Sequence, residues 1–152
     1  MLTRTLLASK EARLFLGGAM IGALFVWTAA VSLGIANSSL PVLHSLDWPL
    51  FLTLCIVVPV LEELVFRGLI QGYLRQFDPG QKAILGISAA NLLTSLLFVL
   101  LHWLTRDGYS ALLVFLPSLY LGLVRDRTSS IVMCILIHIL WNLGWYIFVF
   151  MP

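Results

Sequence analysis

Charged residues are scarce in this chain of 152 residues: Asp, Glu, Lys and Arg together make up 11%, whereas about 25% is usual in soluble domains. Hydrophobic residues take up 61%, and the mean hydropathy is +1.02. A soluble domain of this size buries only about two thirds of its chain surface, so it could not hide that much apolar surface. The composition therefore excludes soluble globular, disordered and fibrous proteins and leaves a polytopic membrane protein.

Cysteine and net charge are also low. The chain has two cysteines, Cys55 and Cys134, and both lie inside apolar runs. That spacing forms neither a disulfide framework nor a zinc pattern, so we expect two small residues packed among helices. The formal net charge of +2 is too small to indicate nucleic-acid binding.

Five apolar segments are predicted as membrane helices, and short, turn-rich connections separate them. They cover residues 14–36, 48 to about 72, 83–104, 111–124 and 130–150. The first is too long for the apolar core of a signal peptide, and the fourth is short and contains Pro117. Only helices and closed barrels satisfy the backbone in lipid, and these runs do not alternate. The predicted fold class is all-α, a polytopic membrane bundle of about five transmembrane helices.

Basic residues predict the orientation of this bundle. With a cytoplasmic N-terminus, the cytoplasmic side holds eight of the nine Lys and Arg residues, and Arg106 alone lies opposite. The positive-inside rule then predicts N-in, C-out, and Trp48, Trp103 and Trp145 fall near the predicted outer ends, as in an aromatic belt. We expect one membrane domain over residues 1–152, with a core at about 48–150 and an additional N-terminal transmembrane helix at 14–36.

The second predicted span carries three ionisable residues in a region where each charge costs ~2.5–3.5 kcal/mol. Glu63 and Arg67 are four residues apart with the acid first, which predicts a helical ion pair. Glu62 lies about 100° further around the helix and is predicted to point away from that arginine. Pro59 predicts a kink that opens a polar pocket near Glu62. The alternative is that both glutamates reach water at a helix end.

Two later spans add further polar side chains. His102 follows Phe98 by four residues in the third span, so the phenyl ring can wall one side of the imidazole. His138 and Asn142 have the same spacing in the fifth span. Taken singly, His102 could be a core histidine with one hydrogen-bond partner, and His138 and Asn142 could clamp two helices together.

Taken together, a carboxylate, two imidazoles and a carboxamide in lipid favour general-base hydrolysis. The carboxylate can take a proton from water, and the imidazole and carboxamide N–H groups can stabilise an oxyanion. The sequence has no Gly-x-Ser-x-Gly motif and no His-Glu-x-x-His helix. We expect no cofactor, although zinc held by Glu62, His102 and His138 stays an open alternative.

These motifs resemble the CPBP family, the CAAX-type (Abi) glutamic intramembrane endopeptidases and their bacteriocin-processing relatives. The family signature is Glu-Glu-x-x-x-Arg, then Phe-x-x-x-His, then His-x-x-x-Asn on successive membrane helices. The matching residues are Glu62, Glu63, Arg67, Phe98, His102, His138 and Asn142. The resemblance covers roughly residues 51–142.

The resemblance implies a metal-independent intramembrane protease. Glu62 would be the catalytic base, and His102 would help it to activate water. His138 and Asn142 would form the oxyanion site. Structural support is expected from Glu63, Arg67 and Phe98.

The implied substrate is a membrane-associated protein or peptide, such as a bacteriocin leader or a C-terminal sorting tail, rather than a prenylated eukaryotic tail. The expected location is the bacterial inner membrane, with the lipid bilayer as a partner and no nucleic acid. Two other classes stay open: a non-catalytic membrane protein that binds a peptide, as in bacteriocin immunity, and an ion or proton transporter with Glu62 as carrier. Transporters often contain inverted repeats, and no repeat is visible in this sequence.

Overall fold

Helices form most of residues 10–32, 47–105 and 110–146, the parts of the chain that this computed structural model describes. The elements in chain order are α1 Lys10–Ser32, α2 Trp48–Leu74, α3 Asp78–Gln81, β1 Ala83–Ile84, β2 Ile87–Ser88, α4 Ala89–Thr105, α5 Ser110–Leu113, α6 Phe115–Thr128 and α7 Ile131–Trp145. The predominance of helix is confirmed. The number of spans and their orientation stay predictions.

Among the described residues, one helix is long and apolar enough to cross a membrane: α2, with 27 residues. At 1.5 Å per residue it is about 40 Å long, more than the roughly 30 Å of a hydrocarbon core. Two shorter apolar helices, α4 and α7, have 17 and 15 residues.

Helix α2 contains two π-helical stretches, Thr53–Val57 and Leu64–Ile70, between α-helical ones. Its first turn is well formed, since the Asp47 side chain accepts from the Leu50 N–H and Pro49 occupies a position that needs no backbone donor. Pro59 does not stop the helix. π-Helical turns inside α-helices are rare and occur often at functional sites.

The third predicted helix begins six residues later than expected. Residues 83–88 form an antiparallel hairpin, in which Ala83 pairs with Ser88 and Ile84 with Ile87. Leu85 and Gly86 both have positive φ, 52° and 82°, which is typical of a two-residue type I′ turn. The prediction of helix here was wrong because the segment is apolar like the helix that follows it, and Gly86 alone marks the turn.

The fourth predicted helix was also misplaced. Pro117 lies in the first turn of α6, where its missing N–H costs nothing, and so it does not interrupt the helix. The helix continues past residue 124 to Thr128 and ends at Ser129, which adopts the left-handed conformation with φ 54°. The separate short helix α5 precedes it.

The remaining helix ends differ by a few residues. Helix α1 begins at Lys10 rather than at residue 14, and α2 continues to Leu74 rather than 72. Arg106 and the predicted helix ends at 33–36 and 147–150 lie outside the described residues.

The described chain forms two units of contacts. The first comprises the described parts of Met1–Leu61 and Ile135–Pro152; Cys55 and Tyr146 are its buried centre, packed by Phe51, Leu54 and Leu143. The second comprises those of Glu62–Cys134. Both cysteines are buried thiols, as predicted.

The second unit buries several polar side chains and exposes many leucines. On α4, Asn91, Thr94 and Ser95 are buried, whereas Leu93 and Leu100 on the same helix are about half exposed. A large exposed apolar surface marks contact with a partner or a membrane. In a chain with this composition, the pattern indicates that the leucines face lipid.

Candidate active site

A buried ion pair lies at the centre of the second unit. Glu63 and Arg67 are four residues apart on α2, and Arg67 Nε is 3.3 Å from Glu63 Oε2. Both side chains are completely buried. Arg67 Nη2 also donates to the backbone oxygen and to the hydroxyl of Ser118 on α6, at 2.8 and 2.9 Å. The four-residue spacing predicted this pair, and the pairing offsets the cost of burying two charges.

A second set of polar contacts, from buried to partly exposed, continues along α2. Gln71 Nε2 donates to the backbone oxygen of Gly122 at 3.0 Å and to Asp126 Oδ1 at 2.9 Å. Arg75 Nε lies 3.5 Å from the same Asp126 oxygen. Glu63, Arg67, Gln71 and Arg75 recur every four residues, and this recurrence was the missed signal for a polar stripe facing α6.

Helix α4 joins this network at its N-terminus. Ser88 Oγ donates to Asp126 Oδ2 at 2.6 Å and accepts from the backbone N–H of Asn91 at 3.0 Å, and so it caps α4. The Asn91 amide donates to the backbone oxygen of Leu119 at 3.0 Å. The Asn91 side chain lies directly against Gly122, so a Cβ on residue 122 would overlap the Asn91 amide. These contacts fix α4 against α6.

The fixed helices bring Glu62 and His102 together. His102 Nε2 is 3.9 Å from Glu62 Oε1, and their side chains are 8% and 19% exposed. A distance of 3.9 Å is too long for a direct hydrogen bond and fits one bridging water. Glu62 therefore lies beside an imidazole from α4.

The backbone of Phe98 sets the tautomer of His102. His102 Nδ1 is 3.0 Å from the carbonyl oxygen of Phe98, and a carbonyl can only accept, so Nδ1 carries a proton. In the neutral imidazole, Nε2 is then the acceptor and faces Glu62.

The phenyl ring of Phe98 contacts both the imidazole and the buried cation. Its centroid is 4.3 Å from that of His102 with the planes tilted by 32°, and Arg67 Cζ is 5.2 Å from the ring centroid. Phe66 packs edge-on against it at 4.9 Å. The aromatic ring expected beside the imidazole is thus present, and it packs against Phe66 and Arg67 as well.

His138 and Asn142 lie on α7, in the first unit. Asn142 Nδ2 donates to the backbone oxygen of Leu54 at 2.9 Å, and the Cys55 thiol is 3.6 Å from the Asn142 carbonyl oxygen. His138 is buried, with 8% exposure. On the same helix, Trp141 Nε1 donates to the Ala19 carbonyl of α1 at 3.1 Å.

Within residues 10–32, 47–105 and 110–146, no group of three or more His, Cys, Asp or Glu side chains is placed to hold a metal ion.

Comparisons with known proteins yield one family. No curated protein and no solved structure matches the chain. The family model described as type II CAAX prenyl endopeptidase Rce1-like matches residues 44–144, about two thirds of the chain. That range includes all three motifs that carry the CPBP resemblance. The chain therefore belongs to the type II CAAX prenyl endopeptidase Rce1-like family, a family of membrane-embedded proteases.

Proposed function

We propose that this protein is a glutamic intramembrane endopeptidase that cleaves a membrane-associated peptide or protein with a water activated by Glu62 and His102. The observation that carries the proposal is the 3.9 Å separation of Glu62 Oε1 and His102 Nε2. The 3.0 Å contact between His102 Nδ1 and the carbonyl oxygen of Phe98 supports it, because this contact favours a proton on Nδ1. A water between these two acceptors can donate one hydrogen to each.

In the proposed reaction, Glu62 takes a proton from this water and its oxygen attacks the scissile carbonyl carbon. The carbonyl oxygen becomes an oxyanion in a tetrahedral intermediate. The intermediate then collapses, the C–N bond breaks, and the proton held by Glu62 passes to the leaving amine. His102 acts by orienting the water, because its Nε2 accepts the second hydrogen.

For the oxyanion we propose N–H donors from His138 and Asn142, on the strength of their sequence motif. A carboxamide has two N–H donors, and the contact with Leu54 uses one of them. The catalytic pair is held in position by Glu63, Arg67 and Phe98. The proposed reaction needs no metal and takes place in a bacterial inner membrane.

The decisive experiment compares two neighbouring carboxylates. Wild type, Glu62→Gln and Glu63→Gln are purified and given a CAAX peptide with and without a farnesyl group, together with a library of membrane-anchored peptides. We expect Glu62→Gln to accumulate normally and to lose at least about a hundredfold in cleavage rate. His102→Ala and His138→Ala should likewise accumulate normally and lose cleavage activity. Glu63→Gln should lose activity too, but it should accumulate poorly.

Three outcomes would contradict the proposal. Full activity of Glu62→Gln would remove the glutamate mechanism. Peptide binding without cleavage, equal in wild type and Glu62→Gln, would indicate the non-catalytic binding protein. Loss of activity with a strong chelator and its recovery with zinc would indicate the metal-dependent version.

A further inference from the structure

A polar pocket of about 410 Å³ lies in the second unit at the end of α2. Its walls contain two arginines, two amides and a hydroxyl but no carboxylate. The lining residues are Gly72, Arg75, Gln76, Gln81, Arg125 and Ser129. This inventory of hydrogen-bond donors suits an anion.

Each of the two arginines of the pocket is held in place through its own Nε atom. Arg75 Nε lies 3.5 Å from Asp126 Oδ1, and Arg125 Nε donates to the backbone oxygen of Arg67 at 3.3 Å. Each guanidinium has two further NH₂ groups for a ligand. Because the two side chains are already oriented, a ligand loses less free energy in ordering them.

The negative charge of Asp126 does not cancel the positive charge of this pocket. Its carboxylate accepts from Gln71 on one oxygen and from Ser88 on the other, at 2.9 and 2.6 Å. Its side chain is 11% exposed and does not line the pocket. Arg125 adds a second cation, so the pocket keeps a positive excess.

Exposed aromatic rings indicate the level in the bilayer at which the pocket lies. Tyr73 and Phe77 flank Arg75, are 60% and 49% exposed, and form an edge-on pair at 5.2 Å. Exposed aromatic residues at the end of a membrane helix lie at the level of the lipid headgroups. Arg75 follows Leu74, the last residue of α2. The pocket therefore opens where phosphate groups are most concentrated.

We propose that this pocket binds the phosphate oxyanion of an anionic phospholipid headgroup, with Arg75 and Arg125 as its cationic ligands. The site is separate from Glu62 and His102, and its occupation fixes the depth of α2 in the bilayer.

The test uses the full chain purified in neutral detergent. Phosphatidylglycerol and phosphatidylcholine are added at equal mole fractions, retained lipid is counted by native mass spectrometry, and the Tm is recorded. The decisive variant is Gln76→Glu, which adds a negative charge to the pocket at an exposed position and leaves both arginines intact. The matched control is Arg13→Gln, an equal change of net charge on exposed Arg13 of α1.

Wild type and Arg13→Gln should retain more phosphatidylglycerol than phosphatidylcholine. Gln76→Glu should lower phosphatidylglycerol retention about fivefold, the effect expected for one charge near the site. If the lipid-free Tm of Gln76→Glu shows that it does not fold, Gln81→Glu replaces it, since Gln81 is also exposed and lines the pocket.

A third arm separates the headgroup from free phosphate. Inorganic phosphate should raise the Tm less than phosphatidylglycerol does. Equal stabilisation by inorganic phosphate, with no preference between the two lipids, would overturn the lipid assignment. Wild-type phosphatidylglycerol retention in Gln76→Glu would overturn the site itself.

Discussion

The side-chain amide of Asn142 donates a 2.9 Å hydrogen bond to the backbone oxygen of Leu54 on α2. The local geometry of α2 explains this contact. The Val58 N–H, four residues after Leu54, donates to Thr53 instead. The next residue is Pro59, which has no N–H to give. Asn142 thus replaces a backbone donor that the π-helical turn and the proline remove.

This contact predicts that Asn142→Asp destabilises the protein by about 1–3 kcal/mol, because a carboxylate oxygen would face the Leu54 carbonyl without a proton. The measurement is denaturant or thermal unfolding in detergent. Asn142→Asp should cost less in a Pro59→Ala background, where the backbone of residue 59 regains an N–H. Equal costs in the two backgrounds would contradict the proposed link.

The Glu63–Arg67 pair predicts losses of protein yield as well as activity. Glu63→Gln and Arg67→Ala each leave a buried charge without its partner, which costs about 3–5 kcal/mol in comparable cases. Membrane-inserted protein should therefore fall in both variants when it is quantified by immunoblot.

A double variant supplies the control for this pair. Glu63→Gln combined with Arg67→Met removes both charges and should recover part of the yield. Normal accumulation of both single variants would show that the pair is not needed for folding.

The close approach of Gly122 and Asn91 predicts an intolerant glycine. Gly122→Ala places a Cβ on the Asn91 amide, which must move and give up its hydrogen bond to Leu119. We expect a clear fall in Tm. The matched control is Gly22→Ala in α1, where a Cβ meets no atom within 4 Å. That change should be neutral or stabilising, by up to about 1 kcal/mol. Similar Tm values for the two variants would contradict this packing.

The stacking of Phe98 on His102 predicts a catalytic effect without unfolding. Phe98→Leu keeps the carbonyl that binds Nδ1 but removes the ring that holds the imidazole plane. We expect kcat to fall about two- to tenfold, the usual worth of an aromatic pair, with KM nearly unchanged. Phe66→Leu, which removes only the edge-on contact with Phe98, serves as the control and should have a smaller effect. Equal kcat values for both variants would show that the ring does not position His102.

The sequence predicted those features that depend on spacing within one segment. Long apolar runs predicted helices, and the i, i+4 rule predicted the Glu63–Arg67 pair. Glu62 and His102 are 40 positions apart in the numbering, and only the family motif linked them. Periodicity carries no information on which faces of different helices meet.

The missed features have a common physical cause. The hairpin at residues 83–88 depends on two positive φ values, and its apolar side chains do not show the turn. Ser118 and Asp126 acquire their roles from partners on α2, more than 50 residues earlier. A polar residue that is paired by a distant helix looks, in the sequence, like an ordinary surface residue.

The inverted burial of the second unit has a consequence for how substitutions are tolerated. The exposed sides of its leucines face acyl chains, which are no more selective than a liquid hydrocarbon, so one aliphatic residue there serves nearly as well as another. Its inward polar groups each need a particular partner at a particular distance. A deep mutational scan should therefore rank Asn91 and Gln71 among the least replaceable positions and the leucines of α4 among the most forgiving, the reverse of the order found in water-soluble enzymes.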